Sequence, residues 1–395
     1  MRRRLGLLAP VVAAGAGRLV QLVVLLVIVR QTDGATESTL VAGFALLSSL
    51  AIFTDSGASS YMLSRPLVDI GRSLHARAVG LHLALAAAGS VVAVVVTLSA
   101  PGASDAPAVI GLFLALGTTQ VSDSVMRTAR APQLVRGRDA RFALPEIVLI
   151  GAKAPVVLLT VLTGDPRLLM LLCVASLAVS VPTFVTTHVK LPTDVAPPAH
   201  LTRRILEYGV SGSLSAFYSQ APLLIGTAVL GVSDVAPLAL AYRLVQPLEI
   251  VPATFSQQLL PRVRRFRHRL VAVWAAFVAA GAVLTIALVA AGGWLAAAID
   301  STSFVTVLFV PIALTLVPKF GNYALVAISM GLGLVRQRLI ATVVVGAVAL
   351  VLATSAVVRA DVLGLAWVGV LCELTLLVVL GALVVRFRPR QEGIQ

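Results

Sequence analysis

The stretch FTDSGASSYMLSRP, residues 53–66, closes an apolar run with an acid, an arginine and a series of glycine and hydroxyl residues. Most membrane helices carry leucine and valine at such positions, so the break needs a reason. The setting comes first. The chain has 395 residues, 58% of them hydrophobic and 12% charged, with a mean hydropathy of +0.99. No water-soluble chain of this length needs so much apolar surface, so the bilayer is the solvent. Lipid cannot satisfy loose backbone groups, which leaves helices or a closed barrel. The apolar runs last about twenty residues, twice the length of alternating barrel strands. The fold class is all-α and polytopic.

Apolar runs between charged or Pro/Gly breaks place twelve spans, at residues 7–29, 38–62, 74–98, 108–128, 143–163, 168–188, 205–230, 235–260, 270–298, 302–330, 338–358 and 362–385. The 302–330 run is long enough to tilt or break near Pro311 and Pro318. Of the 31 lysines and arginines, 24 fall in the N-terminal tail, the loops after even-numbered spans and the C-terminal tail. Three, Arg30, Arg167 and Arg359, fall on the other side. This asymmetry predicts a multi-pass cell-membrane protein with both termini cytoplasmic, and it accounts for the net charge of +14 without nucleic acid. Within the opening stretch, Arg65 then marks the cytoplasmic surface and Pro66 ends the second span. Gly57, Ser59 and Ser60 permit close helix approach. Asp55, about three turns deeper than Arg65, is expected to look into the interior.

The Pro-rich connector VKLPTDVAPPAHLTRR, residues 189–204, lies in the middle of the chain. It predicts an N-terminal six-helix lobe at 1–188, a C-terminal six-helix lobe at 205–385 and a cytoplasmic tail at 386–395. The end of the eighth span, EIVPATFSQQLLPRV (residues 249–263), echoes the end of the second, so the halves read as parallel repeats. No loop is long enough for an enzyme domain. The chain has no Walker phosphate loop, HExxH zinc pattern, GxSxG elbow or Cys/His cluster. No enzyme activity, cofactor or metal is therefore expected. Cys173 and Cys372, both within apolar runs, read as small core residues.

Charges in hydrocarbon cost about 2.5–3.5 kcal/mol each at the centre of a span, so they face protein or water. Arg18 lies mid-way along the first span with Gln21 on its face. Lys153 shares a face with Glu146. Asp123 and Arg127, four residues apart, are placed to pair. The seventh span carries Glu207, Ser211, Ser215 and Tyr218 on one stripe; the eighth carries Tyr242, Gln246, Glu249 and Ser256, with Arg243 beside them. Glu373 is central in the twelfth. So many interior polar groups describe helices around a hydrated space. The default reading is a transporter with alternating access.

Three segments carry a family resemblance: FALLSSLAIFTDSGASSYMLSRP (44–66), ILEYGVSGSLSAFYSQAPLLIG (205–226) and RADVLGLAWVGVLCELTLL (359–377). With twelve spans in two halves, the chain resembles the Wzx-type polysaccharide flippases of the multidrug/oligosaccharidyl-lipid/polysaccharide exporter superfamily. The resemblance implies two six-helix lobes in a MATE-like V. It implies export of a polyprenyl-pyrophosphate-linked oligosaccharide from inner to outer leaflet for cell-surface polysaccharide synthesis. Partners would be the lipid-linked sugar, membrane lipids, a polysaccharide polymerase and glycosyltransferases, with the chain itself a monomer. Arg18, Lys153 and Arg243 would meet the pyrophosphate, and Gln21, Asp55, Ser211, Ser215, Tyr218, Tyr242 and Gln246 would complete the cavity. Glu207, Glu249 and Glu373 are the candidates for coupling to an ion. The alternatives are an ion-coupled antiporter of drugs or other small molecules on the same fold, and a lipid II-type flippase.

Overall fold

The computed structural model describes residues 2–32, 36, 39, 40, 43, 44, 47, 56–99, 106–193, 195–230, 238, 241, 242, 245–266, 269–298 and 303–386. Every regular element among them is helical. The chain packs as two compact units, Met1–Ser213 and Leu214–Gln395. The division falls inside a helix, so residues 189–204 belong wholly to the first unit.

The first unit contains α1 (Arg2–Gln31), α2 (Ala58–Leu63), α3 (Arg72–Leu98), α4 (Pro107–Ala129), α5 (Ala131–Val135), α6 (Asp139–Thr163), α7 (Leu171–Val189) and the beginning of α8 (Leu201–Leu230). The pairs α1 with α6, α3 with α4 and α4 with α7 form its frame. Ile28, Leu40, Phe113, Leu169 and Leu172 fill its core. The second unit contains the rest of α8, α9 (Ile250–Leu259), α10 (Leu270–Ala298), α11 (Ser303–Leu314), α12 (Leu316–Gly331), α13 (Val335–Val358) and α14 (Val362–Arg386). Here α10 packs on α12, α13 on α14, and α12 on α14.

The helices are built inside out by the standards of a soluble protein. On α3 the buried positions Ala86, Gly89 and Ala93 are small and recur at helical spacing, while Val91 and Val96 are 61% and 53% exposed. On α13, Ala341, Val345, Ala349 and Ala353 face the core, and Val343, Val351 and Val358 face out. Small residues inside let backbones approach; large apolar residues outside meet lipid. Eight stretches among the described residues are long and apolar enough to cross a membrane. The protein is an all-α, polytopic membrane protein.

Of the twelve expected spans, α1 and α8, each 30 residues long, cover the first and seventh. The second and eighth include positions outside the described residues. The long tenth run does break: α11 ends at Leu314 and α12 begins at Leu316, between Pro311 and Pro318. At the break the Ile312 carbonyl accepts twice from Thr315, from its hydroxyl at 2.6 Å and from its N–H at 3.2 Å. In the 18-residue apolar window of 307–331, 72% of the residues are buried, against 17% in that of 270–292, so α12 is the inner helix of its unit.

The opening stretch is a seam. Phe53, Thr54 and Asp55 lie outside the described residues. Gly57 has φ of 73°, and a Cβ there would collide with the backbone of Tyr208 and Gly209 in α8. Only glycine meets both demands. Tyr61 packs edge-on against Tyr208 with ring centroids 5.6 Å apart. The Ser64 and Tyr208 hydroxyls are 3.0 Å apart, and the Arg65 guanidinium lies 5.0 Å over the Tyr61 ring. The connector is pinned too: Arg72 donates to the carbonyls of Leu191 at 3.0 Å and Val189 at 2.6 Å, and Arg136 donates to that of Lys190 at 2.9 Å.

Candidate functional site

Each unit holds a buried polar cluster. In the first, two helices carry one acid and one base each, seven residues apart: Asp123 on α4 with Arg130 just past its end, and Glu146 and Lys153 on α6. Seven residues are about two turns, so each pair lies on one face. The acid leads on both, and the pairs cross, as they must between helices that run in opposite directions. Lys153 Nζ lies 2.5 Å from Asp123 Oδ2, and Arg130 Nη2 pairs with Glu146 Oε2. All four side chains are at most 10% exposed. Ser176 of α7 donates to the second Asp123 oxygen at 3.0 Å. Arg130 also donates to the Phe142 carbonyl at 2.8 Å and sits 4.2 Å over the Phe142 ring. The expected Asp123–Arg127 pair is replaced by this arrangement. Lys153, buried on the facing helix, has no water to compensate it, whereas Arg127 is partly exposed.

A hydrogen-bonded chain runs beside this cluster. Ser124 donates to the Val121 carbonyl at 3.0 Å, so it accepts from His82 Nε2–H at 3.2 Å. His82 Nδ1 is then the acceptor for the Ser56 hydroxyl at 3.1 Å. Ser56 in turn accepts from the Ala58 N–H at 3.2 Å. The chain ties the seam at α2 to α3 and α4.

In the second unit, Lys319 of α12 stands between two carboxylates. Its Nζ is 2.7 Å from Glu249 Oε1 and 3.8 Å from Glu373 Oε1 of α14. Asn322, one turn along α12, donates through Nδ2 to the Glu373 carbonyl at 2.8 Å and to Glu373 Oε2 at 2.7 Å. Glu373 and Asn322 are each 3% exposed. The Asn322 Oδ1 and the Tyr242 hydroxyl are buried without a hydrogen-bond partner among the described residues. The Tyr242 hydroxyl lies against Gly369, one turn before Glu373. Among the described residues, two carboxylates and one lysine give this cluster one negative charge in excess.

The residues singled out from sequence are thus dispersed. Glu249, Glu373 and Tyr242 gather around Lys319, while Lys153 belongs to the cluster of the other unit. Tyr218 is buried in the core of the second unit. Gln21 and Ser215 are half-buried, and each has an interaction partner. Glu207 is 50% exposed and faces Arg203 across one helical turn at 3.4 Å. Asp55 and Arg243 lie outside the described residues, as do the side chains of Arg18, Ser211 and Gln246. Sequence reasoning passed over Lys319, Asn322 and Arg130. The signals were present: Lys319 and Asn322 share a face three residues apart, and Asp123 to Arg130 repeats the spacing of Glu146 to Lys153.

No family model matches the chain, and no curated protein matches it. Solved structures do. One is a MOP superfamily transporter from Pyrococcus furiosus, described as having a binding pocket of reverse polarity that suggests a different function; it is 14% identical with a TM-score of 0.70, over 97% of this chain and 95% of that one. Another is an outward-facing multidrug resistance MATE family transporter of the MOP superfamily, 16% identical with a TM-score of 0.68, over 97% and 95%. A third is a single-substitution mutant of a Vibrio cholerae MATE transporter, 12% identical with a TM-score of 0.68, over 98% and 96%. These likenesses extend along nearly the whole chain and show that its fold is MATE-like.

Proposed function

We propose that this chain is an ion-coupled antiporter of small organic molecules that works by alternating access. The observation that carries the reading is the unbalanced cluster of the second unit, where Glu249 and Glu373 share one lysine. A buried carboxylate without its own cation is costly, so the site favours a proton, a metal cation or a cationic substrate. When a cation binds one carboxylate, Lys319 is released toward the other. The two placements of Lys319 bias α12 against α9 and α14 and give the cluster two states, as coupling requires. No bond is broken in the transported molecule; the work is conformational.

The MATE-like fold supports this reading, since one structure that shares it is described as a multidrug resistance transporter. The lipid-linked oligosaccharide expected from sequence asks for surplus positive charge around a pyrophosphate. Lys153, one of the three cations expected to supply it, is instead matched by Asp123. Among the described residues the two clusters are neutral or negative, which supports a neutral or cationic substrate over a pyrophosphate.

The test is reconstitution of the full chain in sealed vesicles, with imposed proton or sodium gradients and a panel of fluorescent organic cations. Efflux driven by one of the gradients is expected. Glu373→Gln should abolish the gradient dependence, by about tenfold or more, with the protein still folded. Equal transport by wild type and Glu373→Gln overturns the coupling role. Movement of a lipid-linked oligosaccharide with no response to any organic cation overturns the antiporter.

A further inference from the structure

We propose that a basic pocket at the end of α3 seats the headgroup of an anionic phospholipid. The pocket has a volume of about 620 Å³ and is lined by Arg77, Pro197, Pro198, His200, Arg203 and Leu206, among others. None of its lining residues is acidic. Its position is at one end of the span Arg72–Leu98, where the connector meets α8.

The neighbouring arginines show why these two stand apart. Arg72 and Arg136 are committed to connector carbonyls, and Arg130 to Glu146 and the Phe142 carbonyl. Arg77 is exposed with no ion pair or hydrogen bond among the described residues. Arg203 is 83% exposed and meets only the half-exposed Glu207, at 3.4 Å. An exposed pair of that length contributes little and yields readily to a better anion. A phosphate diester matches the guanidinium fork, and two arginines with a histidine supply the donors. The walls are firm because Pro197 and Pro198 restrict the backbone and the connector is pinned by Arg72.

The helices on either side favour a lipid. From Arg203, α8 continues along one face through Leu206 to Val210, which is 53% exposed. From Arg77, α3 continues through the exposed Gly80 and Ala84. A phosphate held between the arginines therefore has apolar tracks on which its acyl chains can lie. Interfacial arginines attract anionic lipids in this way.

The experiment titrates the full chain, purified in detergent, with dioleoylphosphatidylglycerol, dioleoylphosphatidylcholine or inorganic phosphate, and reads bound lipid by native mass spectrometry. Phosphatidylglycerol should bind wild type at least about tenfold more tightly than phosphatidylcholine, the scale expected for two interfacial arginines. Arg77→Gln/Arg203→Gln should lose that preference, and Arg77→Lys/Arg203→Lys should keep part of it. Arg336→Gln/Arg359→Gln, which removes the same charge elsewhere, should keep it in full. Retention by the first variant, or an equal loss in the last, overturns the site. Competition by inorganic phosphate at concentrations equal to the lipid assigns the pocket to a free anion and overturns the lipid. Both glutamine variants change exposed residues, and matched elution profiles on gel filtration confirm that they fold.

Discussion

Lys319 can satisfy Glu249 or Glu373, and its distances of 2.7 and 3.8 Å show which it favours here. Lys153 has no such choice. It is paired with Asp123 alone, and Ser176 holds the remaining oxygen of that carboxylate. On the proposed mechanism one lysine is a switch, while the other is a fastening. Removing one partner of a buried pair strands the other, at a cost of about 3–5 kcal/mol. Asp123→Ala should lower the thermal midpoint in detergent sharply. Asp123→Leu/Lys153→Met, which removes both charges and keeps the volume, should recover most of the loss. If the double variant is as unstable as the single, the pair is more than a fastening. The corresponding test in the second unit gives a different pattern, because removing Glu373 relieves an excess of negative charge.

At the scale of elements, the span limits follow from the length of apolar runs, and α10, α13 and α14 match expectation within a few residues. The break between α11 and α12 was legible from Pro311 and Pro318, since a proline removes a backbone donor and clashes one turn back. The polar clusters were harder to read. A stripe on one helix shows which residues share a face, but not which face of another helix meets it. Glu146 and Lys153 could be placed together on α6, while their partners required knowing that Asp123 and Arg130 reach it from α4, a helix that packs mainly on α3 and α7. The seam at α2 was visible as small residues, but its partner, Tyr208 and Gly209 of α8, is about 150 residues away. Gly57→Ala should destabilise the protein by about 1–3 kcal/mol, because it adds a positive-φ cost to a collision with backbone. A thermal midpoint equal to wild type would show that α2 and α8 can separate at no cost. Gly137, also at positive φ but with nothing within 4 Å of a Cβ, is the control; its alanine variant should carry the backbone cost alone.

For the whole molecule, the basic residues predict which side of the membrane each loop occupies. In a Cys173→Ser/Cys372→Ser background, Arg359→Cys should react with a membrane-impermeant thiol reagent added to intact cells. Arg138→Cys should react only after the cells are opened. The reverse pattern would invert the chain and place the pocket at Arg77 on the outer face. Both positions are exposed at helix ends, so neither substitution disturbs packing.

The crossed charges of α4 and α6 also act across a gap. The two helices pack mainly on other partners, α4 on α3 and α7, and α6 on α1 and α7. What joins them directly is the two ion pairs. Charge rather than apolar contact therefore sets how far one helix stands along the other. A slide by a single turn, about 5.4 Å, would part both pairs at once and leave four buried charges unmatched. The two rungs act as a ratchet stop, holding one axial setting without a shared apolar face.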